Sequence, residues 1–478
     1  MNLRVDRSEG APFALAVLIL VLLLCFWGLG DIPLLSINEA RRAVSAREMF
    51  ASGQWLLPYM NGNLYLTKPP LFNWLTLVPT HLLGASTEWA VRLPSALFAL
   101  LSCAAVYWVG QRLGGRRVGL YAVLILAANT GFSMFARRAE IEMTLAGLSL
   151  LSLLAAWQYL FGDGRRRWVL LSFALIGLCL LTKGPVSLLF VAAPMLVLAV
   201  LRQPRARAYL CDLPGWLLAL LIGGAWYLAV SLKLGFGIWA QVLQQDIVDK
   251  VSGQQVSDPW YGYLQYLAGD FVPFWLILLV RPRELWQQLR ARAELRFLAC
   301  CVLLPLLVFS LFGEKHSKYM LPAYPAIALL LAWRWSAVRD TLQGWKRGLL
   351  TWLPPALLLG FVAFYALGEA RVFAHRLVAL PQIEKTMADY PDQPLYSIGL
   401  ADMRLVFYTG RPVKPLHAAQ VRERLGEDAL LFLREPLPAA LADLAPCTRA
   451  RFAPYLKRGK GALLLVRLGP SCQPASAP

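Results

Sequence analysis

The chain has 478 residues, 58% of them hydrophobic and 16% charged, with a formal net charge of +19 and a mean hydropathy of +0.53. A soluble enzyme of this length would need far more polar surface to cover its core, so that class is excluded. The basic excess lies in short stretches between apolar runs, which makes it a membrane-orientation signal and not a nucleic-acid patch.

Apolar runs of about twenty residues recur, the length that a hydrocarbon core demands. They predict spans over 11–30, 93–112, 117–136, 144–162, 167–182, 185–201, 213–231, 267–281, 297–312, 320–336 and 349–368, roughly eleven helices. The first run is too long for a signal h-region and no small-x-small site follows it, so it reads as a retained helix. Arg4 and Arg7 precede it. Further basic clusters follow the second span (Arg112, Arg116, Arg117), the fourth (Arg165 to Arg167) and the sixth (Arg202, Arg205, Arg207). Others follow the eighth span (Arg281, Arg283, Arg290, Arg292, Arg296) and the tenth (Arg334, Arg339, Lys346, Arg347). Every alternate loop is basic, which predicts a cytoplasmic N-terminus and, with an odd count, an outer C-terminus.

The expected fold class is therefore a polytopic α-helical membrane protein. Residues 1–368 form its transmembrane domain, with a long first outer loop over 31–92. Residues 369–478 form a small extracytoplasmic α/β domain, because stretches such as Pro394-Leu395-Tyr396-Ser397-Ile398 and Ala462-Leu463-Leu464-Leu465-Val466 alternate like strands. Of the eight cysteines, Cys447 and Cys472 lie in that outer segment, where an oxidising compartment would permit a disulfide between them. With four histidines and no CxxC, no His-rich metal site is expected.

The outer loops carry the unusual chemistry. Lys68, Arg137, Arg138, Lys183, Lys315 and Lys318 all fall on the side that the charge rule disfavours, and ionisable groups at a membrane face need a partner or a cavity. A phosphate on a lipid carrier would supply that partner, since Arg binds phosphate bidentately and Lys as a point charge. Headgroup anchoring is the plainer alternative for any single one. Lys68 precedes Pro69-Pro70 and Lys183 precedes Gly184-Pro185, so both read as loop residues held out of helix. Glu39 sits three residues after Ser36, which fits a capping box, and Glu142 opens a helix where a carboxylate suits the dipole. Each of the two is equally a candidate for catalysis.

Asn38-Glu39-Ala40-Arg41, then Arg47-Glu48-Met49-Phe50, Lys68-Pro69-Pro70-Leu71 and Ala90-Val91-Arg92-Leu93-Pro94 resemble the first outer loop of the aminoarabinose lipid A transferases. Those enzymes stand with the protein O-mannosyltransferase-like group that uses polyprenyl-phosphate sugars. Leu181-Thr182-Lys183-Gly184-Pro185 and Lys315 to Pro325 are similar to later family segments, so the resemblance runs from about residue 28 to 335. It implies a GT-C fold and inverting transfer of a sugar from undecaprenyl phosphate at the periplasmic face of the bacterial inner membrane. The acceptor would be lipid A, another envelope glycan or a protein, and a divalent metal could assist, although Asp246, Asp249 and Asp258 form no ligand motif.

The implied donor-phosphate set is Lys68, Arg137, Arg138, Lys183 and Lys318; the catalytic candidates are Asn38, Glu39 and Glu142. This chain departs from the family at Asn38, where Asp is usual, and at Glu142, also usually Asp. Asn cannot take a proton, so a phosphate acceptor would need no base, whereas a hydroxyl acceptor would need Glu39 or Glu142. A protein O-glycosyltransferase is the competitor within the class. A flippase of lipid-linked sugars is the competitor outside it, but neither paired repeats nor midplane charges are found.

Overall fold

The computed structural model describes residues 10–34, 36–251, 258–399, 401–454 and 461–469; Arg4, Arg7 and Cys472 lie outside them, as do the side chains of Asp246 and Asp249. The chain divides into two compact units. One comprises residues up to Leu29, Leu66–Leu75 and Arg92–Ala366; the other comprises Gly30–Tyr65, Thr76–Val91 and the segment from Leu367.

The first unit is helical. Six helices among the described residues are long and apolar enough to cross a membrane, or seven if a bent pair is counted as one span. The span expected over 11–30 is helical only over Ala11–Phe26. Those expected over 167–182 and 185–201 run together as Arg166–Val200 through a 3-10 turn at Gly184–Ser187. The span expected over 267–281 divides into Gly262–Asp270 and a 3-10 segment, Phe274–Leu279, because Pro273 interrupts the hydrogen-bond ladder. The region read as a loop over 232–266 contains a helix, Ile238–Val251.

Small residues and polar contacts hold the helices, as expected where lipid offers no hydrophobic drive for association. A Cβ on Gly177 would lie 2.9 Å from the Ala219 carbonyl oxygen and 2.7 Å from Ile222 Cβ, so glycine lets helices Arg166–Lys183 and Leu213–Leu234 approach. Between helices, Ser152 Oγ donates to the Ser172 carbonyl at 2.9 Å, and Ser172 Oγ lies 2.8 Å from the Tyr209 hydroxyl. The opposite face of Leu213–Leu234 exposes Leu217, Leu220, Leu221, Leu228 and Leu232, which is the surface a lipid tail covers.

The bent pair is Arg116–Ala127 with Thr130–Ala136, at 74°. Asn129 makes the corner: its carboxamide oxygen accepts from Phe132 N at 2.8 Å, and its NH2 donates to the Asp270 carbonyl at 2.9 Å. Gly131 follows because a Cβ there would lie 2.5 Å from an Asp270 carboxylate oxygen. The bend directs the chain into the polar turn Arg137–Glu140, where the site begins.

The second unit joins the first-loop helix Ile37–Ser52 to the C-terminal segment. Its two-stranded ribbon pairs β1 (Tyr59–Met60) with β2 (Asn63–Leu64). Its sheet takes the order β4-β3-β5-β7-β6, from β3 (Leu395–Ile398), β4 (Val413–Leu416), β5 (Leu430–Arg434), β6 (Thr448–Phe452) and β7 (Leu463–Arg467). β3 pairs in parallel with β4 and β5, while β7 pairs antiparallel with β5 and β6. Arg47 donates to the carbonyls of Val406 and Phe407 at 3.0 and 2.7 Å, and Asn61 exchanges hydrogen bonds with the Val413 backbone at 2.8 and 2.7 Å. Tyr408 donates to a Glu88 carboxylate oxygen at 2.6 Å and accepts from Leu34 N at 2.9 Å. Cys447 is disulfide-bonded.

Candidate functional site

Three helix ends in the first unit bring opposite charges together. Glu140 is the N-cap of helix Ile141–Phe161 and Glu142 lies in its first turn, where the exposed N–H groups favour carboxylates. Lys183 is the last residue of helix Arg166–Lys183, where a cation suits the dipole, and Gly184 at φ +71° ends that helix. Lys183 thus ends a helix instead of occupying the loop expected for it, because Gly184-Pro185 acts one residue later. Lys318 and Tyr319 come from the 3-10 turn Ser317–Ala323, which packs on Ile141–Phe161.

Lys183 Nζ lies 3.1 Å and Lys318 Nζ 3.4 Å from one oxygen, Oε1 of Glu142; Lys318 Nζ also lies 3.1 Å from Glu140 Oε2. Both carboxylate side chains are about 5% exposed or less, and both lysine side chains are 17% exposed. The Lys183 ammonium also sits 4.2 Å from the centroid of the Tyr319 ring. Glu142 Oε2 is buried without a hydrogen-bond partner among the described residues. Burial and the neighbouring Glu142 charge push the Glu140 carboxyl up to about 7, against the pull of Lys318. Burial would lower the Lys318 ammonium, but the charges of Glu142 and Glu140 outweigh it and hold it above the usual lysine range.

Lys68 lies in the non-helical turn before helix Leu71–Leu83, near enough to Lys183 for the two charges to repel. Neither Lys68 nor Arg138 has a carboxylate or hydrogen-bond partner for its side chain among the described residues, and both are half-buried. Arg137 is different. It is 6% exposed, donates to the carbonyls of Leu24, Trp27 and Gly28 at 2.9, 2.8 and 3.3 Å, and stacks 4.7 Å from the Tyr365 ring centroid. It clamps the end of helix Ala11–Phe26. Lys315 is similarly committed, since its Nζ donates to the Phe312 and Asp258 carbonyls at 2.6 and 3.4 Å.

Asn38 and Glu39 belong to the second unit. Glu39 is fully buried at the third position of Ile37–Ser52, and its backbone N–H donates to the N-cap Ser36 hydroxyl at 3.0 Å, so the capping arrangement is present. Asn38 is half-buried beside it. The residue that sequence reasoning passed over is Glu140. Its signal was the spacing Glu140-Ile141-Glu142 after a paired arginine, which puts two carboxylates on one helix start. No group of three or more His, Cys, Asp or Glu among the described residues is placed to hold a metal ion.

Residues 67–230 match the family model described as dolichyl-phosphate-mannose-protein mannosyltransferase, a stretch that holds Lys68, Arg138, Glu140, Glu142 and Lys183. An uncharacterised protein of Aquifex aeolicus is 30% identical over 321 residues, covering 66% of this chain and 63% of that one. The undecaprenyl phosphate-alpha-4-amino-4-deoxy-L-arabinose arabinosyl transferase 2 of Proteus mirabilis is 28% identical over 302 residues, covering 62% and 54%. This chain thus spans under two thirds of the length of these curated relatives. Among solved structures, ArnT from Cupriavidus metallidurans superposes with a TM-score of 0.75 in the apo state, at 22% identity over 97% of this chain and 99% of that one. The same protein bound to undecaprenyl phosphate gives 0.75 at 21% identity, over 98% and 100%. The chain is a multi-span membrane protein with the GT-C fold, and a third of it resembles the dolichyl-phosphate-mannose-protein mannosyltransferase family.

Proposed function

We propose that this protein is an integral membrane glycosyltransferase that moves a sugar from a polyprenyl phosphate, undecaprenyl phosphate in bacteria, to an acceptor outside the cytoplasm. The observation that carries the reading is the pair of half-buried lysines on buried Glu142, with Lys68 and Arg138 unpaired among the described residues beside a family match that includes Lys68, Arg138, Glu142 and Lys183. A cation surplus held by a rigid carboxylate suits an anionic carrier. The relatives named for undecaprenyl-phosphate sugars, and the like-folded structure bound to undecaprenyl phosphate, support that choice of donor. Lipid A or another envelope glycan is the acceptor this reading favours, in the inner membrane with the N-terminus cytoplasmic and the C-terminal segment periplasmic. The division of labour between residues 1–368 and 369–478 belongs to the same proposal.

In the proposed reaction, an acceptor oxygen attacks the anomeric carbon while the bond from that carbon to the carrier phosphate oxygen breaks, with inversion. The electron pair leaves on the phosphate, where Lys68, Arg138, Lys183 and Lys318 stabilise the growing charge. Arg137 takes the role of fixing the turn that presents Arg138. An acceptor hydroxyl loses its proton to a carboxylate. Glu140, pushed up to about 7, is better matched to that task than Glu142, which two ammonium groups hold. A phosphate acceptor would need no base.

Mass spectrometry of lipid A, surface glycans and envelope proteins from a deletion strain and its parent tests the proposal. Loss of one sugar on one of these classes names the acceptor, and loss on proteins alone moves the reading to a protein O-glycosyltransferase. Unchanged products with lipid-linked sugar accumulating on the cytoplasmic face would sink catalysis in favour of transport.

A further inference from the structure

The basic connection after Phe274–Leu279 holds a second polar cavity, and nothing in the transfer reaction uses it. Helix Pro282–Ala291 has no buried residue. One of its faces presents Glu284, Gln287 and Gln288, and across the cavity helix Tyr324–Thr341 presents Trp333, Arg334, Ala337, Val338 and Thr341. Arg281 and Arg292 close the ends of a space of about 370 Å³. Three guanidinium groups therefore meet one lining carboxylate, while Arg292 also donates to the Leu113 carbonyl at 3.0 Å and lies 4.0 Å from a Glu294 carboxylate oxygen.

The lining is built and not incidental. Arg334 is 3% exposed, donates to the carbonyls of Val280 and Arg281, and keeps its Nε buried without a hydrogen-bond partner among the described residues. Arg281 adopts φ +47° and ψ +62°, a left-handed conformation that a non-glycine residue holds at a cost. Its ion pair with Glu284 is long, at 3.4 Å, and more than half exposed. An isolated arginine so placed reads as a helix-end clamp; three around a cavity of this size leave charge for an anion.

We propose that this cavity binds the phosphodiester of an anionic glycerophospholipid. Arg281, Arg292 and Arg334 supply the charge, while Gln287 and Gln288 donate to headgroup oxygens. Guanidinium groups match phosphate oxygens in pairs, which favours phosphate over a simple carboxylate. The apolar neighbours select a lipid over a soluble phosphate: Leu276, Leu279 and Val280 of the preceding segment are 46, 66 and 38% exposed. They offer acyl chains a path beside the charged cavity. Trp286, 56% exposed, carries Arg290 4.7 Å from its ring centroid, the amphipathic pairing of a helix lying at a membrane interface. The proposal does not rest on the transferase reading.

The test is native mass spectrometry of the full-length protein titrated with phosphatidylglycerol, with phosphatidylcholine and with inorganic phosphate. The comparison variant is Gln288→Glu with Ala337→Glu, which brings two carboxylates to the cavity without removing an observed hydrogen bond. Arg334 is left intact because it supports the Val280 and Arg281 carbonyls. Wild type is expected to prefer phosphatidylglycerol over phosphatidylcholine at least tenfold, the double variant less than twofold, with equal monodispersity and melting temperature. A single Arg281→Ala variant, whose guanidinium makes only the exposed Glu284 pair among the described residues, should lie between them. The same preference in all three proteins would overturn the site. Release of phosphatidylglycerol by millimolar inorganic phosphate would overturn the lipid source and make the ligand a soluble phosphate compound.

Discussion

Replacing Lys183 by Met separates what the Glu142 cluster does for folding from what it does for a ligand. In the wild type, Glu142 Oε1 accepts from Lys183 at 3.1 Å and lies 3.4 Å from Lys318, with Glu142 almost wholly buried. Removing one partner of a buried pair generally costs about 3–5 kcal/mol, because a charge is left without compensation. Here Lys318 stays on the same oxygen, so the loss should fall at the low end, about 3 kcal/mol, read as a melting temperature lower by roughly 5 °C. The ligand effect is separate. A phosphate contact to a charged donor is worth about 1.5–3 kcal/mol, which is about 10- to 150-fold in Kd. Purified wild type, Lys183→Met and Lys183→Arg would be titrated with undecaprenyl phosphate beside their melting curves, and Lys183→Arg should recover much of the binding. If Lys183→Met bound undecaprenyl phosphate within twofold of wild type while its melting temperature fell, the pair would be only structural and the phosphate-site reasoning would be wrong.

Four further outcomes follow from the same geometry. Lys68→Ala and Arg138→Ala should each cut transfer at least tenfold with melting temperature nearly unchanged, since neither side chain has a partner to lose among the described residues; a melting shift without loss of transfer would contradict this. Arg137→Ala should instead destabilise by about 3 kcal/mol, because three carbonyls at the end of helix Ala11–Phe26 lose their donor in a buried setting, measured by thermal unfolding. Glu140 binds its proton more tightly folded, at about 7, than unfolded, near 4.5. Its contribution to stability is therefore complete below the lower value and lost as pH rises through about 7, so wild type should lose more melting temperature than Glu140→Gln between pH 5 and 8. Tyr408→Phe should cost about 2 kcal/mol by leaving Glu88 and the Leu34 N–H short of a partner, visible as faster hydrogen exchange at Leu34.

The membrane class, the α/β character of the C-terminal segment and the two lysines that meet Glu142 stood out because each has a one-dimensional signal. Apolar length marks the spans, period-two alternation marks β3 and β7, and a lysine before Gly184-Pro185 marks an interruption. The helix count was less legible, since hydropathy cannot tell a 3-10 turn inside one long run, as at Gly184–Ser187, from a loop between two spans. The bend at Asn129 depends on Asp270, 141 residues away in sequence, so no local pattern announces it. Arg137 and Arg138 looked equivalent for the same reason. Only the carbonyls of Leu24, Trp27 and Gly28, more than a hundred residues upstream, make one of them a clamp. The joining of helix Ile37–Ser52 to the C-terminal segment also rests on long-range contacts, Arg47 to Val406 and Asn61 to Val413.

The departures at Asn38 and Glu142 fit one physical picture once Glu140 is included. A glutamate at 142 reaches one methylene further than an aspartate, and here that reach lets a single oxygen meet ammonium groups from two different elements. A carboxylate so occupied is a scaffold for cations. Base strength then passes to Glu140, whose partner Lys318 is shared with Glu142 and whose burial raises it toward neutrality. Under the proposed reaction, the base for a hydroxyl acceptor is Glu140 at the start of helix Ile141–Phe161, and Asn38 cannot serve as one. Glu140→Gln distinguishes the two ways this can work: transfer to a hydroxyl acceptor should fall by at least a hundredfold, whereas transfer to a phosphate acceptor should survive nearly intact. The response of one side chain would thus report the chemical class of the acceptor.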